Sequence, residues 1–132
     1  MSRLEEAREF FKADIFATQT TGIVIEEVAD GYARCSLETE EKHMAAHHHV
    51  MGGALFTMAD FAFAVAANGF AEKITVSQHV SMTFLSPAKG RELLAEARCL
   101  KAGRTTCLYQ VDVRDELGTY VAHGEVNGFT VG

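Results

Sequence analysis

One long segment with almost no charge limits the fold more than any other part of this sequence. Between His43 and Ala71 the only residue of the types Asp, Glu, Lys and Arg is Asp60. We predict a helix that begins at Gly52 or Gly53 and runs to about Asn68. Its apolar side chains would cover most of the circumference, which is typical of a buried helix. They are Leu55, Met58, Ala59, Phe61, Ala62, Phe63, Val65 and Ala66. Because Asp60 interrupts the apolar run, no stretch reaches the roughly 18 residues of a membrane span.

The rest of the chain is predicted to form mainly strands. Residues 2–12 have helical spacing, and Asp30-Gly31 is a hairpin signal. Apolar and polar residues alternate in six segments: 22–29, 32–39, 74–85, 92–101, 105–114 and 118–129. A sheet of about six antiparallel strands must wrap the apolar helix to keep it from water. We therefore predict an α+β fold, with a short N-terminal helix, in a single domain over residues 1–132.

Composition excludes several classes of function. The net charge of −6 disfavours nucleic acid as a partner, because phosphates require a basic surface. Three cysteines without a CxxC pair do not make a disulfide framework, which fits a reducing compartment. The acidic N-terminal stretch is not a signal peptide. We expect a cytoplasmic protein with no membrane or metal site.

Asp60 itself has two interpretations. It lies in the middle of the predicted helix, on a narrow stripe of small or polar residues with Thr57, Ala64 and Ala67. A buried carboxylate without partners is costly and has a raised pKa. Asp60 is therefore either a structural residue bonded to backbone or hydroxyl groups, or a catalytic base or nucleophile in a cleft.

The glycine pair at the helix start suggests a partner for Asp60. Helix N-termini expose unpaired N–H groups, and glycine lets a ligand approach the backbone, so Gly52 is a candidate oxyanion site. Gly52 and Asp60 are eight residues apart, about 12 Å along one helix. One carbonyl group cannot contact both. If they cooperate, they come from two protomers related by a two-fold axis, and the protein is a dimer.

These residues belong to a longer pattern. The stretch "VMGGALFTMADFAFAVAAN", followed by "SMTFLSPAKG", "AGR" and "DELGTYVAHGEV", resembles the hotdog-fold acyl-CoA thioesterases of the phenylacetate-pathway (PaaI-like) type. The resemblance runs from Gly22 to Phe129. It implies a central helix wrapped by a curved antiparallel sheet, in homodimers that often pair into homotetramers. It also implies hydrolysis of an acyl-CoA or aryl-CoA thioester to free acid and CoA, with no cofactor beyond the CoA of the substrate.

The resemblance assigns roles to individual residues. Asp60 would activate water or attack the thioester carbonyl, and the Gly52 N–H of the other protomer would bind the thioester oxygen. Four positions before Gly52 depart from the family pattern, which commonly has histidine where this chain has Met51. It also commonly has asparagine or glutamine where this chain has Ala45, and often glycine where it has His48 and His49.

Further candidates come from the residues around this pattern. The stretch His47–His49 has three interpretations: a solvated loop, a metal site, or a source of one histidine that replaces the missing amide. For that last role we predict His49. Phe61, Phe63 and Phe84 are expected either to shape an acyl or aryl tunnel or to pack in the core. Three residues on or beside the strand after the helix carry hydroxyl groups that could line the pocket: Ser77, Thr83 and Ser86. Of these, Thr83 is our predicted site residue. The substrate-binding set is Gly53, Met51, Ala45, His49, Phe61, Thr83, Phe84, Lys101 and Arg104.

Lys101 and Arg104 are proposed to bind the phosphates of coenzyme A. They belong to a window, residues 89–104, with five of the chain's twelve basic residues. Arginine can hold a phosphate with two hydrogen bonds, and Arg104 matches a basic residue common in the family. Two other functions stay open: a non-catalytic module that binds acyl-CoA, and a hotdog dehydratase or hydratase.

Overall fold

The computed structural model describes residues 1–69 and 73–131. The helices are α1 (Arg3–Phe11) and α2 (Gly52–Asn68), and the strands are β1 (Val24–Ala29), β2 (Tyr32–Glu38), β3 (Ile74–Phe84), β4 (Glu92–Ala102), β5 (Thr106–Asp115) and β6 (Tyr120–Val131). Both predicted helices and all six strands are confirmed, with ends that differ by at most two residues. A π-helical turn (Phe16–Thr21) and a 3₁₀ turn (Glu41–His43) were not predicted.

The six strands form one antiparallel sheet in the order β1-β2-β4-β5-β6-β3. Helix α2 packs against every strand of this sheet. The eight apolar side chains that the sequence predicted to be buried on α2 are all buried. The α+β prediction is therefore confirmed, and the physical reason is the one expected: a helix that is apolar nearly all round needs cover on most of its surface.

One side of α2 is different. Thr57, Asp60, Ala64 and Ala67 are only partly buried, as the predicted stripe requires. The N-terminal segment, residues 12–21 after α1, passes beside this stripe. Its start is fixed by Phe11, the last residue of α1, whose ring packs edge-on against Phe61 with 5.7 Å between centroids. The stripe therefore lies between the residues that follow α1 and strand β3, whose Ser77 side chain bonds to Asp60.

The two edge strands of the sheet differ in their cover. At the β1 edge, the Arg8 side chain of α1 donates a hydrogen bond of 2.8 Å to the carbonyl of Ile25. At the other edge, β3 pairs with β6 alone, and its apolar side chains Ile74 and Val76 are 61% and 44% exposed. Among the described residues, only the Asn68 side chain bonds to this outer edge, at the N–H and carbonyl of Thr75. A strand edge that is otherwise open readily pairs with another strand.

Candidate active site

Asp60 lies half-buried in a cleft of about 430 Å³ between α2 and the N-terminal segment. Burial raises the pKa of its carboxyl group above the ordinary value, and hydrogen bonding from the Ser77 hydroxyl on β3 partly opposes that rise. The negative charge of Asp14 raises the pKa further. The cleft is lined by Asp14, Ile15, Phe16, Ala17, Thr57, Asp60, Phe61 and Ala64. A carboxylate with a raised pKa in a mostly apolar cleft is suited to accept a proton.

Gly52 lies in a second cleft, of about 260 Å³, at the start of α2. The residue before it, Met51, provides no side-chain cap, and within residues 1–69 and 73–131 no acceptor is bonded to the N–H of Gly52 or Gly53. A Cβ atom at Gly52 would lie 3.1 Å from the ring of Phe84. A side chain at this position would require the exposed Phe84 ring to shift by a few tenths of an ångström. The helix start offers two free N–H groups to a ligand oxygen.

Gly52 and Asp60 do not share a cleft within one protomer. Gly52 faces Phe84 and the loop after β3, whereas Asp60 faces Ser77 and the N-terminal segment. The eight intervening residues of α2 hold the two about 12 Å apart. A reaction that uses both groups on one carbonyl therefore needs a second protomer, as the spacing in the sequence indicated.

The three consecutive histidines form an exposed loop tip. Residues 44–50 fold back on themselves, with a bridge between Met44 and Val50 and a hydrogen bond of 2.8 Å from the Ala45 N–H to the His49 carbonyl. His48 has a φ of 66°, so its side chain departs from the direction of its neighbours. The rings of His47 and His49 lie 5.3 Å apart and both line the Gly52 cleft. The structure thus brings His49 to Gly52, with Ala45 in the supporting turn.

The other predicted site residues are scattered. Phe84 and Phe61 lie in the Gly52 and Asp60 clefts respectively, whereas Met51 and Gly53 lie between them. Thr83 pairs with His123 on β6, and the structure brings it to neither cleft. Its neighbour Phe84 points to α2, so alternation along the strand turns Thr83 to the opposite face.

The basic window does not form one patch. Lys101 and Arg104 lie at the β4–β5 turn, but Lys89 and Arg91 precede β4. Nine residues of β4 lie between Arg91 and Lys101, so the two groups are about 33 Å apart. Arg98, between them, pairs with Glu96 at 3.1 Å and stacks on the ring of Tyr32. Only Lys101 and Arg104 remain together as a candidate phosphate site.

Four residues that surround Asp60 were not predicted as site residues from the sequence: Ser77, Asp14, Ile15 and Phe16. Ser77 and Thr83 both lie on β3, and an irregularity in the strand pairing turns them to different faces. A bulge between Ser77 and His79 shifts the alternation of β3, so residues before and after it follow different parity. The N-terminal residues gave no signal, because their contact with α2 depends on long-range packing.

Residues 1–69 and 73–131 contain no group of three or more His, Cys, Asp or Glu side chains arranged to hold a metal ion. Among the helices of that same portion, none is long and apolar enough to cross a membrane.

Comparison with known proteins shows the family to which the chain belongs. Residues 47–122, more than half of the chain and including both Gly52 and Asp60, match the family model described as the thioesterase superfamily. The chain belongs to the thioesterase superfamily. The predicted PaaI-like resemblance is confirmed by a relative in Escherichia coli named acyl-coenzyme A thioesterase PaaI, which is 29% identical over 89% of this chain and 84% of its own length.

A second relative is more similar over a shorter stretch. It is a protein of Archaeoglobus fulgidus that carries the provisional name of esterase, and it is 32% identical over 97 residues. The match covers 73% of this chain but 62% of that relative, so this chain spans less than two thirds of the relative's length.

Solved structures confirm the hotdog fold. The PaaI protein of the E. coli phenylacetic acid degradation operon superposes with a TM-score of 0.87, over 99% of this chain and 97% of that one, at 24% identity. A thioesterase-type protein of Streptococcus pneumoniae, solved with coenzyme A, gives a TM-score of 0.80 at 23% identity, over 92% and 97% of the two chains. At these identities the likeness concerns the fold.

Proposed function

We propose that this protein hydrolyses an acyl-CoA or aryl-CoA thioester to the free acid and CoA, in a homodimer with two composite sites. One observation carries the proposal. A single helix presents a half-buried carboxylate with a raised pKa, Asp60, and two free N–H groups at Gly52 and Gly53, in separate clefts. Membership of the thioesterase superfamily supports a thioester as the substrate.

The outer edge of β3, which is largely open beyond Thr75, supports the dimer. If β3 of one protomer pairs antiparallel with β3 of its partner, a two-fold axis passes between the two strands. Because α2 crosses behind β3, the same axis sets the two copies of α2 antiparallel. Gly52 of one protomer then approaches Asp60 of the other, twice per dimer. From the family resemblance we also propose that two dimers pair into a tetramer.

The proposed reaction uses these groups in sequence. The Asp60 carboxylate takes a proton from a water molecule as the water oxygen bonds to the thioester carbonyl carbon. The carbonyl oxygen becomes negative and accepts a hydrogen bond from the partner's Gly52 N–H, at the positive end of the α2 dipole. When the carbon–sulfur bond breaks, the CoA thiolate takes the proton from Asp60. The products are the free acid and CoA, and no metal or redox cofactor takes part.

Binding of the coenzyme A portion is assigned to the β4–β5 turn. Lys101 and Arg104 are exposed there without an opposing carboxylate among the described residues, and arginine suits phosphate. The streptococcal hotdog protein solved with coenzyme A supports a CoA ester as ligand. His47 and His49 beside Gly52 are proposed to take the place of the amide that Ala45 does not provide.

The first test removes the proposed base. Asp60→Asn keeps the shape of the side chain but cannot accept the proton, so kcat for thiol release should fall by roughly a thousandfold or more. The folded state should keep or raise its Tm, because a desolvated charge is removed. Asp30→Asn, at the exposed β1–β2 turn, is the matched control and should keep full activity. Full activity of Asp60→Asn would refute the mechanism, and tight CoA-ester binding by the wild type without thiol release would favour the non-catalytic module.

A second test asks whether the site is shared between protomers. Gly52→Pro removes the N–H at the first helical position, where proline is tolerated, and Met51 already has the φ of −67° and ψ of 139° that suit a residue before proline. Asp60→Asn and Gly52→Pro homodimers should both be inactive. Co-expression should restore about a quarter of wild-type activity, since half of the dimers are mixed and each mixed dimer has one intact site of two. Mixed dimers purified through two different affinity tags should show about half of wild-type activity. No recovery in the purified mixed dimer would place the site within one protomer.

A further inference from the structure

The N-terminal segment places two large apolar side chains beside Asp60. After α1 the chain turns and enters the π-helical turn at Phe16, which packs along α2. Ile15 and Phe16 are 58% and 65% exposed, yet both line the cleft that contains Asp60. Large apolar side chains in this position cost solvation energy in the isolated protomer, so a ligand or partner that covers them is favoured.

The segment is held firmly in place at both ends. Before it, Phe11 is buried against Phe61 of α2. After it, Lys42 donates a hydrogen bond of 2.8 Å to the Thr20 carbonyl, and buried His43 is 2.8 Å from the Thr21 carbonyl. The Glu40 N–H donates to Nδ1 of His43, so its Nε2 carries the hydrogen and donates to Thr21. Phe16 therefore belongs to a fixed wall.

This wall extends along α2 from Asp60 toward Gly53. Phe16 and Thr57 line the Asp60 cleft, and they also line an adjoining cleft of about 510 Å³ that reaches Gly53. Phe16 thus stands at the junction of the two, above the small side chains of the α2 stripe. Clefts of this size fall within the roughly 300–1,000 Å³ common for small-molecule sites. Their walls near Phe16 are mainly apolar, whereas coenzyme A is highly charged and polar.

We infer that Ile15 and Phe16 form the acyl-binding wall and select thioesters with an apolar acyl group longer than acetyl, either a medium aliphatic chain or an aryl group. The inference rests on the proposed function, since the acyl group is placed by its attachment to the carbonyl beside Asp60. A long apolar acyl group would cover the exposed faces of Ile15 and Phe16. An acetyl group would leave them in water, so it gains nothing from them.

The test compares acyl selectivity in wall variants. Phe16→Ala and Ile15→Ala are assayed by thiol release with acetyl-, butyryl-, octanoyl- and benzoyl-CoA. We expect kcat/KM for octanoyl- or benzoyl-CoA to fall by about tenfold or more in Phe16→Ala, and kcat/KM for acetyl-CoA to stay within about twofold. The two long substrates show whether the group is aliphatic or aryl. Leu117→Ala, which removes a 67% exposed side chain at the β5–β6 turn, is the control and should leave the profile unchanged.

A second variant distinguishes a change in acyl selectivity from a loss of the oligomer. Phe16→Trp enlarges the wall and should reduce turnover of the longest chain while keeping butyryl-CoA, with the oligomeric mass followed by light scattering. An equal change for all four esters, no change, or a change of mass without a change of selectivity would overturn the inference. These outcomes differ from failure of the proposed function, in which the wild type releases thiol from no ester or Asp60→Asn remains active.

Discussion

Two aspartates of this protein, Asp60 and Asp115, are both withdrawn from water but have opposite surroundings. Asp115, at the end of β5, is 2% exposed and accepts four backbone hydrogen bonds of 2.8 to 3.0 Å, from Lys89, Gly90, Leu117 and Thr119. Burial alone would raise its pKa, but the backbone donors of Gly90, Lys89 and Thr119 hold the pKa well below the usual range. For Asp60, burial prevails and the pKa is raised.

The difference separates a structural carboxylate from a reactive one. Asp115 joins the loop before β4 to the β5–β6 turn, and its charge is fully used by N–H donors. A carboxylate held in this way is a poor base, because protonation would cost it several bonds. Asp60 has one hydroxyl partner and an apolar cleft, so it can gain and lose a proton with little rearrangement. We expect stability to depend on the first residue and catalysis on the second.

The largest effect on stability is expected from Asp115→Asn. An amide has one acceptor oxygen and no charge, so two or more of the buried N–H groups lose their partner. The free energy of unfolding should fall by about 3 kcal/mol, and Tm by roughly 10 °C, measured by thermal unfolding at pH 7. At 15 °C, kcat should stay within about threefold of wild type, because neither reactive atom is touched.

The pH dependence of this effect has a definite sign. A carboxyl group with a depressed pKa in the folded state contributes stability above its unfolded pKa of about 3.9 and loses it as pH falls toward the folded value. The gap in Tm between wild type and Asp115→Asn should therefore narrow below about pH 4. A gap that stays constant with pH would show that the charge of Asp115 is not what holds the loop.

The same two residues show how far the sequence could predict the structure. Asp60 was noticed because its neighbours are apolar, and the spacing of the helix placed it on a separate stripe. Asp115 lies in "RDELG", which has the composition of an ordinary turn, and its four donors come from two loops that pair only after β4, β5 and β6 assemble. Local periodicity predicted the elements and the separate stripe of Asp60, whereas the pairing of Gly52 with Asp60 across two protomers stays a prediction. Contacts fixed by long-range packing, such as Asp14 beside Asp60, left no periodic pattern.

An intermediate effect is expected from Ser77→Ala. The Ser77 hydroxyl stabilises the charged form of Asp60, so its loss should raise the pKa of that carboxyl group further. In a pH–rate profile the acid limb of kcat/KM should move to higher pH, and kcat at pH 7 should fall by about tenfold because the base is less well positioned. Ser81→Ala, on the same strand and exposed, is the matched control. An acid limb that moves to lower pH would contradict the assigned hydrogen bond.

The smallest effect on the pH–rate profile is expected from Asp14→Asn, and its direction is opposite to that of Ser77→Ala. The negative charge of Asp14 raises the pKa of Asp60, although burial is the larger cause. Removing that charge should move the acid limb of kcat/KM to lower pH, and the shift should be small because Asp14 is a charge in a solvent-accessible cleft. Because the limb moves opposite to that of Ser77→Ala, a general loss of structure cannot mimic both results. The shift should shrink as salt is raised from 0.05 to about 0.5 M, since Asp14 is exposed and acts through its field.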